Sequence, residues 1–396
     1  MDELAFNEEQ AIARLLRFLA VEGVTGQEKA IAQDVIAALM QAGVPRKAMR
    51  FDSAAERIAL PTQTGNLIVQ LPGTRPGPRR MFSTHLDTVP TCAGAKPKRQ
   101  GKRIVSESAT ALGGDDRTGV GVLVTLATTL LERQLPHPPL TLLFTVREES
   151  GLHGAKNVDL AALGDPVECF NCDGRMPQQL TIGAVGAERW EVHITGKASH
   201  AGVHPERGIS ATMVGALGLA EIHRAGLFGK INNGWKGTAN IGIFGGPEGK
   251  AAGQATNVVT DYAYLKGECR SHEPAALKHF ISTYKKAFQD AARKVCDERG
   301  RPAKVKFVSW REYHAFKVKE TELAVKHAQQ ACASVGLTAE LRISNGGLDA
   351  NWLVRHGIPT VSFGAGQNNI PSVGEYVELD DYLNGCRFAL ALATQP

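Results

Sequence analysis

Residues 140–146, with the sequence LTLLFTV, form a nearly continuous apolar run. A strand with one exposed face alternates apolar and polar residues, whereas a run of this kind is typical of a strand buried on both faces. Similar short strands are predicted at 80–84 and 167–171, with a helix over 122–131 between them. Because strands and helices alternate, we predict an α/β domain whose mostly parallel sheet is flanked by helices.

Side chains that can bind metals or transfer protons follow each of these strands. His85 and Asp87 follow the strand at 80–84, Glu148 and Glu149 follow the strand at 140–146, and Asp173 follows the strand at 167–171. In an open α/β sheet, ligands bind outside the carboxyl ends of the strands. We therefore expect these five side chains to meet at one edge of the sheet.

Asp115 and Asp116 lie near the start of the intervening helix, where the helix dipole favours negative charge. Capping of the helix explains one of them, but two adjacent carboxylates repel each other, which suggests that at least one meets a cation. A divalent metal compensates converging carboxylates, and mixed His and Asp/Glu ligands suit zinc, with manganese or cobalt possible. The alternative is that the acids cap helices and pair with Arg117, Arg147 and Arg175.

The pattern changes near residue 186. The predicted elements there are strands at 188–194, 239–244, 258–268 and 305–308 and helices at 208–222 and 273–298. The order β-α-β-β-α-β is that of a ferredoxin-like unit. Since 396 residues exceed one ordinary core, we predict a discontinuous catalytic, metal-binding domain (1–185 and 315–396). An inserted lid and dimerisation domain is predicted over 186–314.

The composition of the chain limits the partners and the cellular compartment that we expect. The net charge is only +5, and its densest basic stretch, residues 96–103, is predicted to be a solvated loop, so no nucleic-acid partner is expected. An odd count of seven cysteines indicates a reducing compartment, and Cys169 and Cys172 are predicted to be buried thiols. No signal peptide and no apolar run of about 20 residues is apparent, so we expect a cytoplasmic protein without a membrane partner.

Taken together, the motifs resemble those of the zinc exopeptidases that include peptidase T, carboxypeptidase G and the aminoacylases. The motifs are most similar to those of peptidase T-like members, and the resemblance covers nearly the whole chain. The matching motifs are His85-x-Asp87, Gly-Gly-Asp115-Asp-Arg-Thr-Gly, Glu148-Glu149, Asp173, Ala198-Ser-His200-Ala-Gly-x-x-Pro205 with Gly208 and Ala211, Asn257, Arg270 and Gly346-Gly347-x-Asp349.

The resemblance implies a role for each matching acid and for His85. His85 and Asp173 would bind one metal ion, Asp115 would bridge two ions, and Glu149 would bind the second. Glu148 would be the general base that takes a proton from water, and Asp87 would orient His85.

The resemblance also implies four substrate-binding residues, three in the predicted inserted domain and Gly347 in the C-terminal part of the predicted catalytic domain. His200 would reach the active site of the partner subunit in a homodimer and stabilise the developing oxyanion. Asn257, Arg270 and Gly347 would hold the substrate, with Arg270 suited to a carboxylate. The implied function is metal-dependent hydrolysis of peptide bonds near a free terminus of short peptides, as by an aminopeptidase.

One departure from the family pattern concerns the second metal. A C-terminal loop normally supplies a histidine, but here the corresponding stretch contains Pro371. Proline has no ligating side chain, so one or two zinc ions are expected and the second site is short of a ligand. Two alternatives remain open: an N-acyl amino acid amidohydrolase or carboxypeptidase, and a peptide-binding protein that has lost turnover. Retention of Glu148 argues against the latter.

Overall fold

The computed structural model describes residues 5–246 and 250–396, and the chain separates into two compact units. The core unit comprises Met1–Ala184, Lys317–Ser344 and Leu348–Pro396, of which residues 1–4 are not described. The inserted unit comprises Val185–Phe316 together with the short segment Asn345–Gly347. The segment 345–347 thus belongs to the inserted unit, although it is separated from the rest of that unit in the sequence.

Helices and strands are numbered in chain order. The core unit contains the helices α1 Glu8–Ala20, α2 Lys29–Gln41, α3 Ala54–Arg57, α4 Gly114–Glu132, α5 His153–Lys156, α8 Leu323–Ser334, α9 Ala350–Arg355 and α10 Leu379–Thr394. Its strands are β1 Met49–Phe51, β2 Leu67–Leu71, β3 Arg80–His85, β4 Pro97–Gln100, β5 Arg103–Ser106, β6 Leu140–Thr145, β7 Glu168–Cys172, β8 Gln179–Ala184, β14 Phe316–Lys317, β15 Glu340–Ser344, β16 Thr360–Phe363, β17 Gln367–Asn368 and β18 Tyr376–Glu378. The inserted unit contains α6 Ala211–Arg224, α7 Pro274–Lys294, β9 Gly186–Thr195, β10 Gly229–Asn232, β11 Lys236–Gly245, β12 Tyr262–Ser271 and β13 Lys304–Tyr313.

The main sheet of the core unit has the strand order β1-β2-β6-β3-β7-β16-β8-β14, with β15 paired to β8. Its four central strands, β6, β3, β7 and β16, run parallel. Every residue of these four strands is buried, as the apolar run at 140–146 predicts for strands covered on both faces. The fold class expected from the sequence is therefore confirmed.

Helix α4 packs closely on this sheet because it is rich in small residues. A Cβ added at Gly119 would lie 2.4 Å from both the Cys172 carbonyl oxygen and the Thr84 hydroxyl, so no larger residue fits there. Helices α1 and α10 pack on α4 in turn. A cluster that includes Met81 and Leu353 forms another part of the core. In the described part of the chain, no helix combines the length and apolar character that a membrane span requires.

A second, smaller sheet in the core unit has the order β17-β18-β5-β4. The basic stretch at 96–103 is part of it: β4 and β5 form a hairpin, in contrast to the predicted loop. Strand β18 pairs with β5 and also with β17, which follows β16 after a short turn. This pairing attaches the C-terminal loop, residues 367–378, to the core unit.

The inserted unit contains an antiparallel sheet of order β10-β11-β12-β9-β13. Without β10, its elements follow the predicted β-α-β-β-α-β order. Helices α6 and α7 pack on each other and on the sheet, and Trp190 is buried among aromatic rings that include Tyr284 and Phe288. The sequence did not indicate β10, because its four residues are too few to show a pattern.

Candidate metal centre

Three neighbouring parallel strands carry the predicted side chains to the same edge of the main sheet. Strand β3 ends at His85, β6 is followed by Glu148 and Glu149, and β7 is followed directly by Asp173. Because β3 pairs in parallel with both β6 and β7, these three exits lie side by side. Asp115 joins them from the start of α4, with its Oδ1 3.1 Å from His85 Nε2.

Two groups of these side chains have the spacing of a metal site. Ligand atoms of His85, Asp115 and Glu149 all lie within 4.8 Å of one another, and so do those of His85, Asp116 and Asp173. The predicted ligands His85, Asp115, Glu149 and Asp173 are thus brought together. Asp116 was not predicted as a ligand, and it is the one unexpected member.

The contacts of Asp116 explain its position. Its Oδ1 accepts a hydrogen bond from the Gly119 N–H at 3.1 Å, and its Oδ2 accepts one from the Thr84 hydroxyl at 2.5 Å. Asp115 and Asp116 both have non-helical backbone angles, so Asp116 caps the helix that follows. With both Asp116 oxygens in use, Asp115 is the carboxylate left to face His85. The sequence prediction that one acid of the pair caps α4 is consistent with this contact.

His85 is held by its other ring nitrogen. Nδ1 lies 2.9 Å from the main-chain oxygen of Asp87 and 3.5 Å from the Asp87 carboxylate. The carbonyl contact requires a proton on Nδ1, which leaves Nε2 free to bind a metal. The Asp87 carboxylate instead accepts the main-chain N–H groups of Glu148 and Glu149, at 2.9 and 3.1 Å. Asp87 therefore orients His85 through its backbone and fixes the Glu148–Glu149 turn through its side chain.

The carboxylates of this centre are poorly compensated by the protein. Burial, reinforced by the Asp115 charge, raises the pKa of Asp173 to about 6 and that of Glu149 to about 8. Burial also raises the pKa of Glu148 well above its ordinary value. His85 opposes these shifts when it is protonated. A divalent cation among the carboxylates would supply the missing positive charge, so the donor set fits a metal ion.

Two buried acids near the centre make contacts that the sequence did not predict, although Asp349 belongs to one of the matching motifs. The Glu28 carboxylate accepts the main-chain N–H groups of Gly26 at 2.7 Å and Arg147 at 3.0 Å, which ties it to the turn after β6. Asp349 is fully enclosed and accepts a hydrogen bond from the Thr145 hydroxyl. No sequence pattern distinguishes Glu28 from an ordinary first-turn acid.

The C-terminal loop contributes no imidazole to the centre. Pro371 is exposed, and Glu375, four residues later, is buried with both carboxylate oxygens bonded to main-chain N–H groups. Neither residue belongs to a possible ligand group among the described residues. Cys169 and Cys172 are free, buried thiols in β7, as expected.

Four predicted substrate residues lie in the inserted unit. His200 and Asn257 are exposed neighbours: the Ala201 N–H donates to the Asn257 main-chain oxygen at 2.9 Å, and His200 forms a bridge with Val258. His200 Nδ1 accepts the main-chain N–H groups of Gly202 and Val203, each at 3.2 Å. The neutral ring therefore carries its proton on Nε2, which is left to donate to another group.

Arg270 lies in β12, where its guanidinium pairs with Glu268 at 2.9 Å. It lines a cavity of about 630 Å³ within the inserted unit, together with Lys236, Thr238, His272 and Asn345. Gly347 belongs to the same unit, and a Cβ added to it would lie 2.4 Å from the Tyr313 ring.

Comparison with known proteins now assigns the family. The sequence model of the family described as "Peptidase family M20/M25/M40" matches residues 81–395, which is most of the chain and includes every predicted site residue. The chain belongs to this peptidase family. Its membership confirms the resemblance to peptidase T-like enzymes and the expectation of a hydrolase of the metallo-exopeptidase class.

Relatives and solved structures of the family agree over nearly full length. The uncharacterized protein YqjE of Bacillus subtilis (strain 168) is 32% identical, over 83% of this chain and 84% of its own. A tripeptidase structure (SAV1512) from Staphylococcus aureus is 27% identical with a TM-score of 0.87, and it covers 98% of both chains. The aminopeptidase PepT structure from Bacillus cereus ATCC 10987 is 29% identical with a TM-score of 0.83 and the same coverage.

Proposed function

We propose that the protein hydrolyses peptide bonds near a free terminus of short peptides in a metal-dependent reaction, as an aminopeptidase. The observation that carries this proposal is the convergence of His85, Asp115, Glu149 and Asp173 at the edge formed by β3, β6 and β7. The two solved relatives are named as a tripeptidase and an aminopeptidase, which supports short peptides as the substrate class.

His85, Asp115 and Asp173 are proposed to hold one divalent ion, with Glu149 and Asp115 available to a second. A bound ion would neutralise the carboxylates, polarise the scissile carbonyl and lower the pKa of water. The second site has only two proposed protein ligands, since Pro371 cannot replace a histidine. Zinc suits the ligand set, and manganese or cobalt are possible by the same chemistry.

Glu148 is proposed as the general base. Its carboxylate is largely buried, and burial raises its pKa well above that of an exposed glutamate, so it binds a proton more readily. The Asp87 carboxylate fixes the main chain at Glu148 and thereby its position. Glu148 would remove a proton from the attacking water and then deliver it to the amine of the leaving fragment.

Substrate is proposed to be held by the inserted unit. The cavity lined by Arg270 is a suitable place for the carboxylate of a short peptide, because Lys230 and Lys236 also line it and outnumber its one acid, Glu273. Asn257 and Gly347 are proposed to hold the peptide, and His200 to stabilise the developing oxyanion from the neighbouring subunit. Its Nε2 proton, which the contacts of Nδ1 leave available, has the polarity that this role requires.

A homodimer joined through the inserted unit is proposed as the active form. Strand β10 pairs only with Lys236–Ala239, so the second half of β11 forms a sheet edge in the described structure. Ile243 and Phe244 of this edge are exposed, and so are Met213 and Leu217 of α6. Edge strands of this kind can pair with their copies across a two-fold axis.

Light scattering tests the assembly. Phe244→Asp should yield monomers, because it puts a charge on the proposed interface next to its copy. Leu323→Asp, at an even more exposed apolar residue of the core unit, should keep the parent mass. In addition, mixing inactive His200→Ala with inactive Glu148→Gln should restore some turnover through hybrid dimers. Absence of recovery despite verified subunit exchange would contradict the shared site.

A cytoplasmic location is proposed as well. All seven cysteines are free thiols, and six of them are buried. Persistent free thiols are typical of a reducing compartment. Cell fractionation with an antibody to the protein would check this assignment.

The decisive experiment is a turnover assay with di- and tripeptides, amidated and N-acylated analogues, and added zinc, manganese or cobalt. Hydrolysis of peptides with a free amino terminus supports the aminopeptidase. Preference for N-acyl amino acids or for C-terminal residues would favour the amidohydrolase or carboxypeptidase alternative instead. Peptide binding without turnover under any metal would indicate an impaired, peptide-binding member of the family.

A further inference from the structure

The turn that carries Asp115 is closed around the carboxylate of Glu375. Glu375 Oε2 accepts the main-chain N–H groups of Leu112 at 2.9 Å and Gly113 at 3.0 Å. Its Oε1 accepts the main-chain N–H of Asp115 itself at 3.2 Å. The side chain is only 3% exposed, so these charge-assisted hydrogen bonds form away from solvent.

This turn has a conformation that needs external support. Gly113 has a φ of 83°, in the left-handed region, and Asp115 and Asp116 are outside the helical range of α4. The main-chain N–H groups of these residues therefore cannot be counted among the hydrogen bonds of the helix. Buried N–H groups without acceptors are costly. A Cβ at Gly114 would lie 3.1 Å from Glu375 Oε1, so the turn and the carboxylate fit closely.

The same C-terminal loop also contacts the turn after β7. The Gln367 amide, oriented to satisfy both of its ends, donates to the Gly114 carbonyl and accepts from the Gly174 N–H, each at 3.2 Å. In the opposite orientation its nitrogen lies 3.4 Å from Asp173 Oδ1. In either case, Gln367 lies between the turns that carry Asp115 and Asp173.

We propose that Glu375 is a positioning residue, which holds the Asp115 carboxylate in its ligand position before a metal ion binds. The C-terminal loop would then serve the centre through Glu375 and not through a ligand at residue 371. Glu375 is a poor substitute for the missing histidine, because both of its oxygens already accept hydrogen bonds. The inference rests on the proposed metal-dependent function and adds a residue to it.

The test compares Glu375→Gln with Glu378→Gln. Glutamine keeps the shape of Glu375 but directs an NH₂ group at N–H donors. Glu378 lies three residues away and pairs with Arg103 at the surface, so its substitution removes the same charge without touching the turn. Two quantities are measured: zinc affinity by calorimetry, and hydrogen exchange of residues 112–115 in the metal-free protein.

Glu375→Gln should weaken zinc binding by about 10- to 100-fold, the range found when groups that orient metal ligands are removed. Exchange at 112–115 should accelerate, and turnover should recover at saturating zinc, whereas a merely misfolded variant would not recover. Glu378→Gln should match the parent. If Glu375→Gln does not fold, Glu375→Asp withdraws the carboxylate by one methylene and should give the same shift.

Parent-like zinc affinity in the Glu375 variants would overturn the inference, whatever happens to exchange. Unchanged exchange at 112–115 with weaker zinc binding would also overturn it, because the effect would then not pass through the turn. A parent protein that binds no metal and cleaves no peptide would overturn the proposed function and the inference with it. These outcomes are distinguishable, since the parent is measured first.

Discussion

The carboxylate of Asp87 accepts the main-chain N–H of Glu148 at 2.9 Å. This bond joins the exit of β3 to the exit of β6, and a second bond from the Glu149 N–H strengthens the link. Asp87 is fully buried, and its own main-chain oxygen contacts His85. The proposed base Glu148, the proposed ligand Glu149 and His85 thus all depend on Asp87.

Asp87→Asn should therefore disturb metal binding and turnover together. One amide group can accept only one of the two N–H groups with its oxygen, and its NH₂ would face the other. We expect zinc affinity to fall by about 10- to 100-fold, measured by calorimetry. Asp297→Asn is the matched control, because Asp297 also accepts two main-chain N–H groups but lies in the inserted unit. Equal zinc affinity in parent and Asp87→Asn would contradict the assigned role.

Glu148→Gln and Glu149→Gln should separate proton transfer from metal binding. Glu148→Gln keeps shape and hydrogen bonding but removes the base, so turnover should fall by about 100-fold or more while metal stays bound. Glu149→Gln should instead weaken the second metal. Stoichiometry and calorimetric titration of both variants, with His85→Ala as a reference that loses metal, decide between them. If Glu148→Gln loses metal and Glu149→Gln keeps it, the two roles are reversed.

Pro371→His should strengthen the second binding event. Asp115 and Glu149 are two proposed ligands, and zinc sites in catalytic centres normally have about three protein ligands. A calorimetric zinc titration of the variant should show a second, tighter step that the parent lacks or shows weakly. Ser372→His, one residue further along the exposed loop, controls for the mere presence of an added imidazole. An unchanged second step in Pro371→His would refute this explanation of the departure.

The metal-free protein should lose stability as pH rises from about 5 to about 8.5. The pKa values of Asp173, Asp349 and Glu149 are raised to about 6, 7 and 8 by burial, above the value near 4 of unfolded chains. The folded state therefore holds more protons than the unfolded state in this window, so stability falls with rising pH. Thermal midpoints of chelator-treated protein measure the slope, and Asp349→Asn should reduce it. A thermal midpoint independent of pH would contradict the raised pKa values of these buried acids.

Glu168→Gln should destabilise the fold without touching the metal centre. Glu168 starts β7, at the end of the strand opposite to Asp173, and its carboxylate lies 2.9 Å from Arg80 Nε and 2.8 Å from His327 Nδ1. Arg80 and Glu168 are almost completely buried, and removal of one partner leaves the other charge uncompensated, at a cost of about 3 kcal/mol. Urea unfolding measures this loss. Glu9→Gln, in an exposed pair with Arg99, should cost below about 1 kcal/mol.

The sequence predicted the main sheet well because its central strands have a strong apolar signal. The positions of His85, Glu148, Glu149 and Asp173 followed directly, since a strand exit is defined by where the apolar run stops. The helix start at Asp115 was also predictable from its glycines and paired acids. Apolar runs, glycines and paired acids are local properties of the sequence. Nearly all of those that predicted the site lie within residues 80–173.

The supporting contacts were not predictable, because they join residues that are distant in the chain. Glu28 contacts a turn about 120 positions away, and Glu375 contacts one about 260 positions away. Nothing in the neighbourhood of either glutamate distinguishes it from a surface acid. The sequence also left open which acid of the Asp115–Asp116 pair caps the helix, and the Gly119 N–H bond to Asp116 identifies it.

The parallel pairing of β6, β3 and β7 has a consequence for ion selectivity. Adjacent strands are held about 4.8 Å apart by their backbone ladder, so the spacing of the groups on these three exits follows the sheet and cannot adapt to ionic radius. Only side-chain rotation can adjust, and the partly exposed Asp115 and Glu149 have the most freedom to rotate. We therefore expect the centre to accept several divalent ions of similar size, and the supply of metal in the cell to decide which one it carries.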